Sequence, residues 1–161
     1  MREVKFRGYD LDDKIWRYGA YIKHVNSTPC MFTDEKEKEK WFKEHTEHLI
    51  IFDAFSDWWM PRGMVSCTSI DPESIGQFTG LIDRNKKEIF EGDFVEFNSL
   101  IPLDSELCKL EGKIGKVIFE ECAFCLEFKN KMIPLWIEGV NYRVVGNIYE
   151  NPNFKEKEWK K

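Results

Sequence analysis

Residues Ser69–Phe97 read SIDPESIGQFTGLIDRNKKEIFEGDFVEF. This stretch carries four turn signals and three short alternating strands. Asp71-Pro72-Glu73-Ser74 predicts one helical turn, with Asp71 as cap, Pro72 in the first position and Gly76 ending it. Gln77 to Ile82 predicts a strand, and Asp83-Arg84-Asn85-Lys86 a hairpin turn. Glu88-Ile89-Phe90 returns, and Glu91-Gly92 turns again into Asp93–Phe97. Turns this closely spaced leave room only for a small, strongly curved antiparallel β domain.

Downstream, GKIGKVIF (Gly112–Phe119) and Cys122–Phe128 predict a hairpin around Glu120-Glu121, with Cys122, Phe124, Leu126 and Phe128 on one face. Asn98–Glu111, interrupted by Pro102, reads as a loop or insertion. Met132–Ile137, Tyr142–Val145 and Ile148-Tyr149 supply the last strands, before a polar tail from Asn151. Upstream, Arg2–Tyr9 alternates, with Val4, Phe6 and Gly8 on one face and Glu3, Lys5 and Arg7 on the other. Leu11–Lys14 then turns into a second strand, Ile15–Val25. Asp34 caps a helix from about Glu35 to Glu47, with Glu37 placed for a capping box. Its first half has no apolar face, so it docks by its last two turns. Leu49–Phe55 and Val65–Ile70 are strands, with a loop holding Trp58 and Trp59 between them. The chain therefore divides into an N-terminal hairpin-plus-helix region (1–68), a β domain (69–150) and a tail (151–161), with the boundary between Gly63 and Asp71.

The 161 residues are enough for a core without disulfides or metal. With 42% hydrophobic and 33% charged residues the chain is globular, and 13 Phe, 6 Trp and 5 Tyr favour a β-rich core. The net charge of −5 provides no global attraction to phosphate backbones. The start, MREVKFRGYDLDDKIW, lacks the apolar region of a signal peptide. The longest apolar patch, Leu49–Phe52, falls far short of the roughly 18 residues that span a bilayer. No membrane association and a cytoplasmic location are therefore expected. Five cysteines at irregular spacing point to reduced thiols.

REVKFRGYD at the start, DPESIGQFTGLIDRNKKEIFEGDFVEF in the middle, GKIGKVIF after it and VVGNIYENP near the end together resemble the YopX-like phage protein family. Pro29–Met64 matches that pattern poorly. The family's hairpin usually reads Asp-x-Asn-Gly-x-Glu, and here Lys86 stands at the glycine, which disfavours a tight type I′ turn. The resemblance implies a product of phages and prophages of Gram-positive bacteria, acting in the host bacterial cytoplasm. It also implies a C-terminal SH3-like β-barrel beside the N-terminal β region and its helix. It defines no catalytic or binding residue. Gly76, Phe78, Thr79, Gly80, Leu81, Asp83, Glu91, Gly92 and Asp93 read as barrel-building positions.

No constellation for catalysis, metal or cofactor emerges. Cys122-Ala-Phe-Cys125 has CxxC spacing, but on a strand residues three apart point to opposite faces. His45 and His48 have no third ligand beyond His24 and scattered acids, and do not make an HExxH order. Asp83, Glu88, Glu91 and Asp93 are ordinary turn residues. A non-enzymatic accessory role, by binding another protein, is the expectation. Trp58, Trp59, Arg62 and Met64 are its candidate contact, since Trp, Arg and Met are enriched where proteins meet. The alternative is a nucleic-acid module, with Lys113, Lys116, Lys129, Lys131 and Arg143 as its basic face. Homo-oligomerisation is compatible with either.

Overall fold

The structure, a computed structural model, describes residues 4–29, 31–53, 65–99, 105–129 and 131–151. The chain is mainly β and divides into two compact units, Lys5–Ile75 and Gly76–Lys161, the second joined by Met1–Val4. Trp58, Trp59, Arg62 and Met64 lie outside the described residues.

The first unit contains β1 (Phe6–Asp10), β2 (Ile15–Val25), α1 (Glu35–His45), β3 (Thr46–Asp53), β4 (Val65–Ser69) and a 3-10 turn (Pro72–Ser74). Its strands lie in the order β4-β3-β2-β1 and pair antiparallel. One sheet face buries Ile50 and, close to Gly8, Ile70. The carboxylate of Asp10 is also buried on this face. It accepts the N–H groups of Asp12 (3.0 Å) and Asp13 (3.1 Å), the Thr68 hydroxyl (2.8 Å) and Arg17 Nε (3.3 Å). One side chain thereby closes the β1–β2 turn and ties it to β4.

Arg7 departs from the alternation reading. Its expected solvent face is covered, and the side chain is buried with its guanidinium 4.9 Å from the Trp16 ring centroid. Trp16 lies on the same face of β2 and shelters the cation over its π surface. Asp34 caps α1 by accepting Lys36 N–H at 3.2 Å, but the reciprocal capping-box bond is replaced by Thr33 Oγ1 donating to Glu37 Oε2 at 3.5 Å. The helix stops at His45 because Thr46 is already extended and opens β3. Asp71 caps the 3-10 turn as its sequence predicts, accepting Glu73 N–H at 2.9 Å.

The second unit contains β5 (Gly76–Ile82), β6 (Glu88–Phe90), β7 (Asp93–Ser99), α2 (Ser105–Cys108), β8 (Ile114–Glu120), β9 (Ala123–Phe128), β10 (Lys131–Pro134) and β11 (Val140–Asn147). A five-stranded antiparallel sheet runs β10-β9-β8-β7-β11. Val95, Phe97, Val117, Leu126, Phe128, Ile133 and Tyr142 point from one face of it into a common core. Ile89 of β6 and Leu110, just after α2, complete that core. The segment read as a loop thus holds a short helix, because Leu107 and Leu110 have a core to pack on.

The ladders among the described residues do not close into a barrel. β10 and β11 are the outer strands of the sheet. The expected closure fails at β10, which is four residues long and ends in Pro134, a residue with no N–H to extend a ladder. At the other edge, the strand read as Tyr142–Val145 runs from Val140 to Asn147 as β11, bent by a bulge between Val144 and Gly146, whereas Ile148-Tyr149, read as a further strand, stands in a turn.

Candidate functional site

The turn joining β8 to β9 is tighter than its sequence suggests. Glu120 pairs with Ala123, leaving Glu121 (φ 48°) and Cys122 (φ 64°) as a two-residue loop. Both stand in the left-handed region that a type I′ turn demands and that neither residue favours. The strained loop sets Phe119 and Phe124 side by side across the hairpin, ring centroids 5.1 Å apart at 66°. This is an edge-to-face pair.

Leu135 approaches the same place from the end of β10. Its N–H donates to the Phe124 carbonyl (2.9 Å), and its own carbonyl accepts the Tyr142 hydroxyl (2.7 Å). Leu135 is thus held on both sides, and the next residue, Trp136, is 72% exposed. From β5, Thr79 and Leu81 supply the remaining wall. The Thr79 hydroxyl donates to the Ile89 carbonyl (2.9 Å) and accepts the Leu81 N–H (3.1 Å), fixing the bulge between Phe78 and Ile82. The result is a cleft of about 280 Å³ between Phe119, Phe124, Trp136, Leu135 and Leu81. Phe119 is 51% exposed in it. Single exposed apolar residues are ordinary, but two large aromatics at one cleft make it the candidate contact surface.

Sequence reading overlooked this site. The signal was available: FEECAF sets an aromatic on each side of a tight turn, and Trp136 follows Pro134 by two. What periodicity lacked was the register that brings the two segments together.

The basic residues proposed as a face are dispersed. Lys116 and Arg143 do leave the five-stranded sheet on one side, but each lies opposite a carboxylate: Lys116 beside Glu127, and Arg143 Nε donating to Glu96 Oε2 at 2.6 Å. The Arg143 bond, outweighing burial, holds the Glu96 carboxyl below its ordinary range, with Asn98 and Arg84 adding to it. Lys131 pairs with Phe128 and so leaves by the other side. Lys113 precedes β8 and Lys129 follows β9, both exposed.

The acidic cluster is used by the backbone. Asp83 accepts the N–H groups of Asn85 (2.7 Å), Lys87 (2.8 Å) and Val144 (3.1 Å). Asp93, fully buried, accepts Phe90 N–H at 2.8 Å. Cys122 is exposed in the turn, whereas Cys125 is buried on β9. Burial pushes the Cys125 thiol up, and the charges of Glu121 and Glu120 push it further. His45 stacks on Trp41 at 4.2 Å and bonds its carbonyl, while His48 Nδ1 meets Tyr21 Oη at 2.7 Å. Burial, then the charge of Lys23, holds the His48 imidazole below its usual value. His48 lines a broad groove of about 820 Å³ in the first unit with Lys23, Phe42, Lys43 and Ile70. Among the described residues no group of three His, Cys, Asp or Glu is placed to hold a metal ion. No helix among them is long and apolar enough to cross a membrane.

The model of the YopX protein family matches residues 5–155. The chain belongs to the YopX family. No curated protein matches it. Among solved structures, the crystal structure of protein EF1440 from Enterococcus faecalis is similar to this YopX-family chain at 23% identity, with 95% of this chain and 98% of that one covered and a TM-score of 0.43.

Proposed function

We propose that this YopX-family chain is a non-enzymatic phage accessory protein that acts in the host cytoplasm by binding another protein. The observation that carries the reading is the preformed aromatic cleft at Phe119, Phe124 and Trp136. Phe119 and Phe124, packed edge to face before contact, lose little side-chain freedom on binding, which is the property of interface anchors. We read the second unit as an open form of the SH3-like barrel. The β5–β6 hairpin supports this by bonding β11, through Arg84 N–H to the Tyr142 carbonyl at 3.0 Å. Glu127 opposite Lys116 in the ladder, and Glu96 bonded to Arg143, argue against the alternative of a nucleic-acid module.

The test is affinity capture from host lysate with the wild type and with Trp136→Ala. A stoichiometric protein lost with the variant is expected. Capture of no such protein by the wild type, or equal capture by the variant, defeats the reading. Low-salt titration with single-stranded DNA checks the alternative, which requires salt-sensitive binding.

A further inference from the structure

The broad groove of the first unit is lined by cations that have no carboxylate partner. Lys23 of β2 stands opposite His48 of β3 in the ladder, so both side chains leave the same face of the sheet. Val25 follows on that face, and Phe42 and Lys43 reach the groove from the last turn of α1. Ile70, buried where β4 ends, completes an apolar floor with Val25 and Phe42. Lys38 and Lys40 of α1 pair with Glu35 (2.8 Å) and Glu44 (3.8 Å), whereas among the described residues neither Lys23 nor Lys43 forms an ion pair. Glu47, the one carboxylate among the described lining residues, stands opposite His24 and so leaves by the other face of the sheet. It is also engaged, accepting Asn26 Nδ2 at 2.8 Å.

His48 adds an oriented donor. Its Nδ1 meets the Tyr21 hydroxyl at 2.7 Å, and the two rings stack with centroids 5.9 Å apart. Burial keeps the Tyr21 phenol protonated, so it donates to Nδ1. Burial, then the charge of Lys23, keeps the imidazole neutral near pH 7, which leaves its own proton on Nε2. Nε2 has no partner among the described residues. Two ammonium groups and one ring N–H therefore line a groove with an apolar floor. The net charge of −5 gives the chain no general attraction for anions, so these cations act locally. A volume of about 820 Å³ is that of a small-molecule site. Two unpartnered lysines suit a dianion better than a monoanion, and Lys binds phosphate as a point charge.

Independently of the protein-binding reading, which concerns the cleft of the second unit, we propose that this groove binds a small phosphomonoester with an apolar body. The phosphate lies among Lys23, Lys43 and the His48 Nε2–H, and the body lies over Val25, Phe42 and Ile70.

The test is isothermal titration calorimetry of the full chain at low ionic strength with four probes: naphthyl phosphate, octyl phosphate, naphthoate and inorganic phosphate. At least one of the first two is expected to bind one to one, about tenfold or more tightly than naphthoate or inorganic phosphate. Their order tells a ring-bearing ligand from an alkyl one, and either order supports the proposal. Lys23→Gln and Lys43→Gln should each weaken that binding by about tenfold. Lys36→Gln, on α1 but outside the groove lining, should leave it unchanged. All three positions are exposed, and a thermal melt confirms that each variant is folded. Naphthoate binding as tightly as the phosphomonoesters overturns the proposal, as does inorganic phosphate binding as tightly. So does no binding of either phosphomonoester, or equal affinity in Lys23→Gln, Lys43→Gln and Lys36→Gln. None of these outcomes bears on the lysate capture, which reads Trp136.

Discussion

The carboxylate of Asp83 accepts the N–H of Val144 at 3.1 Å, a bond between residues 61 apart in sequence. It joins the β5–β6 hairpin turn to the bulged edge strand β11. The same side chain closes the turn itself through Asn85 and Lys87. Asp83 is therefore a fastener of the second unit, and its loss should be felt beyond the turn.

Asp83→Ala is expected to destabilise the fold by about 3 kcal/mol, because buried N–H groups lose a charged acceptor. Urea denaturation near neutral pH checks this. The pH dependence follows from the same contacts. Burial alone raises the Asp83 carboxyl, but the bonds from Lys87, Val144 and Asn85 outweigh it and hold the group below 3.8. Asp10 is likewise held below 3.8, since bonds from Asp13, Thr68, Arg17 and Asp12 outweigh burial. Folded values below unfolded ones mean stability that is present above the unfolded value and lost as pH falls through the folded ones. The midpoint in urea should fall below about pH 4, and the fall should be smaller in Asp83→Asn than in the wild type.

Lys86 occupies a glycine's place. The Lys86 N–H donates to the Asp83 carbonyl (3.0 Å), Asp83 N–H donates to the Lys87 carbonyl (2.7 Å), and Lys86 sits at φ 65°. This is a three-residue loop with Lys86 at the left-handed bulge position, not a two-residue type I′ turn. Lys86→Gly should stabilise the protein by roughly 0.5–1 kcal/mol, the relief of left-handed strain exceeding the added chain entropy. Lys86→Ala should give no gain. Thermal melting of both variants checks the pair.

Gly19 and Gly112 test space against torsion. A Cβ at Gly19 would collide with the backbone carbonyl oxygen of Ile51 on the adjacent strand, whereas one at Gly112 meets nothing, though its φ is +70°. Gly19→Ala should cost about 3 kcal/mol, and Gly112→Ala about 1 kcal/mol. Equal costs in chemical denaturation would refute the close approach of β2 and β3.

Tyr142 anchors the cleft from beneath. Removing its hydroxyl in Tyr142→Phe strands the Leu135 carbonyl and should cost about 1–2 kcal/mol. Burial drives the Tyr142 phenol far above its ordinary value of 10.0. The native protein should therefore keep this tyrosine neutral in ultraviolet titration until the chain unfolds, and stability should fall as pH rises above the unfolded value.

Much of the fold was legible because short-range chemistry sets it. Asp71-Pro72 caps its turn whatever lies around it, whereas β7, read by inside-outside alternation, is buried on both faces at Phe94 and Val95. Lys86 at the glycine's place spoke against a tight type I′ turn, and the loop is the longer three-residue one, but the left-handed backbone of Lys86 within it was not legible. Arg7 was misread because alternation assumes one dry face, and Trp16 covers the other. The short helix α2 and the open sheet edge at Pro134 depend on neighbours that no local pattern names.

The sequence alone determined a mainly β chain of YopX type, punctuated by turns whose residues dictate their own backbone. Only tertiary structure decided which side chains meet. It spent Asp83 and Asp93 on backbone N–H groups, set carboxylates against Lys116 and Arg143, and brought Phe119 and Phe124 from two strands together with Trp136 from the turn after β10. Turn chemistry acts over a few residues and is written locally. The cleft depends on the register between β8, β9 and the segment after β10, which is fixed by packing and by two hydrogen bonds to Leu135.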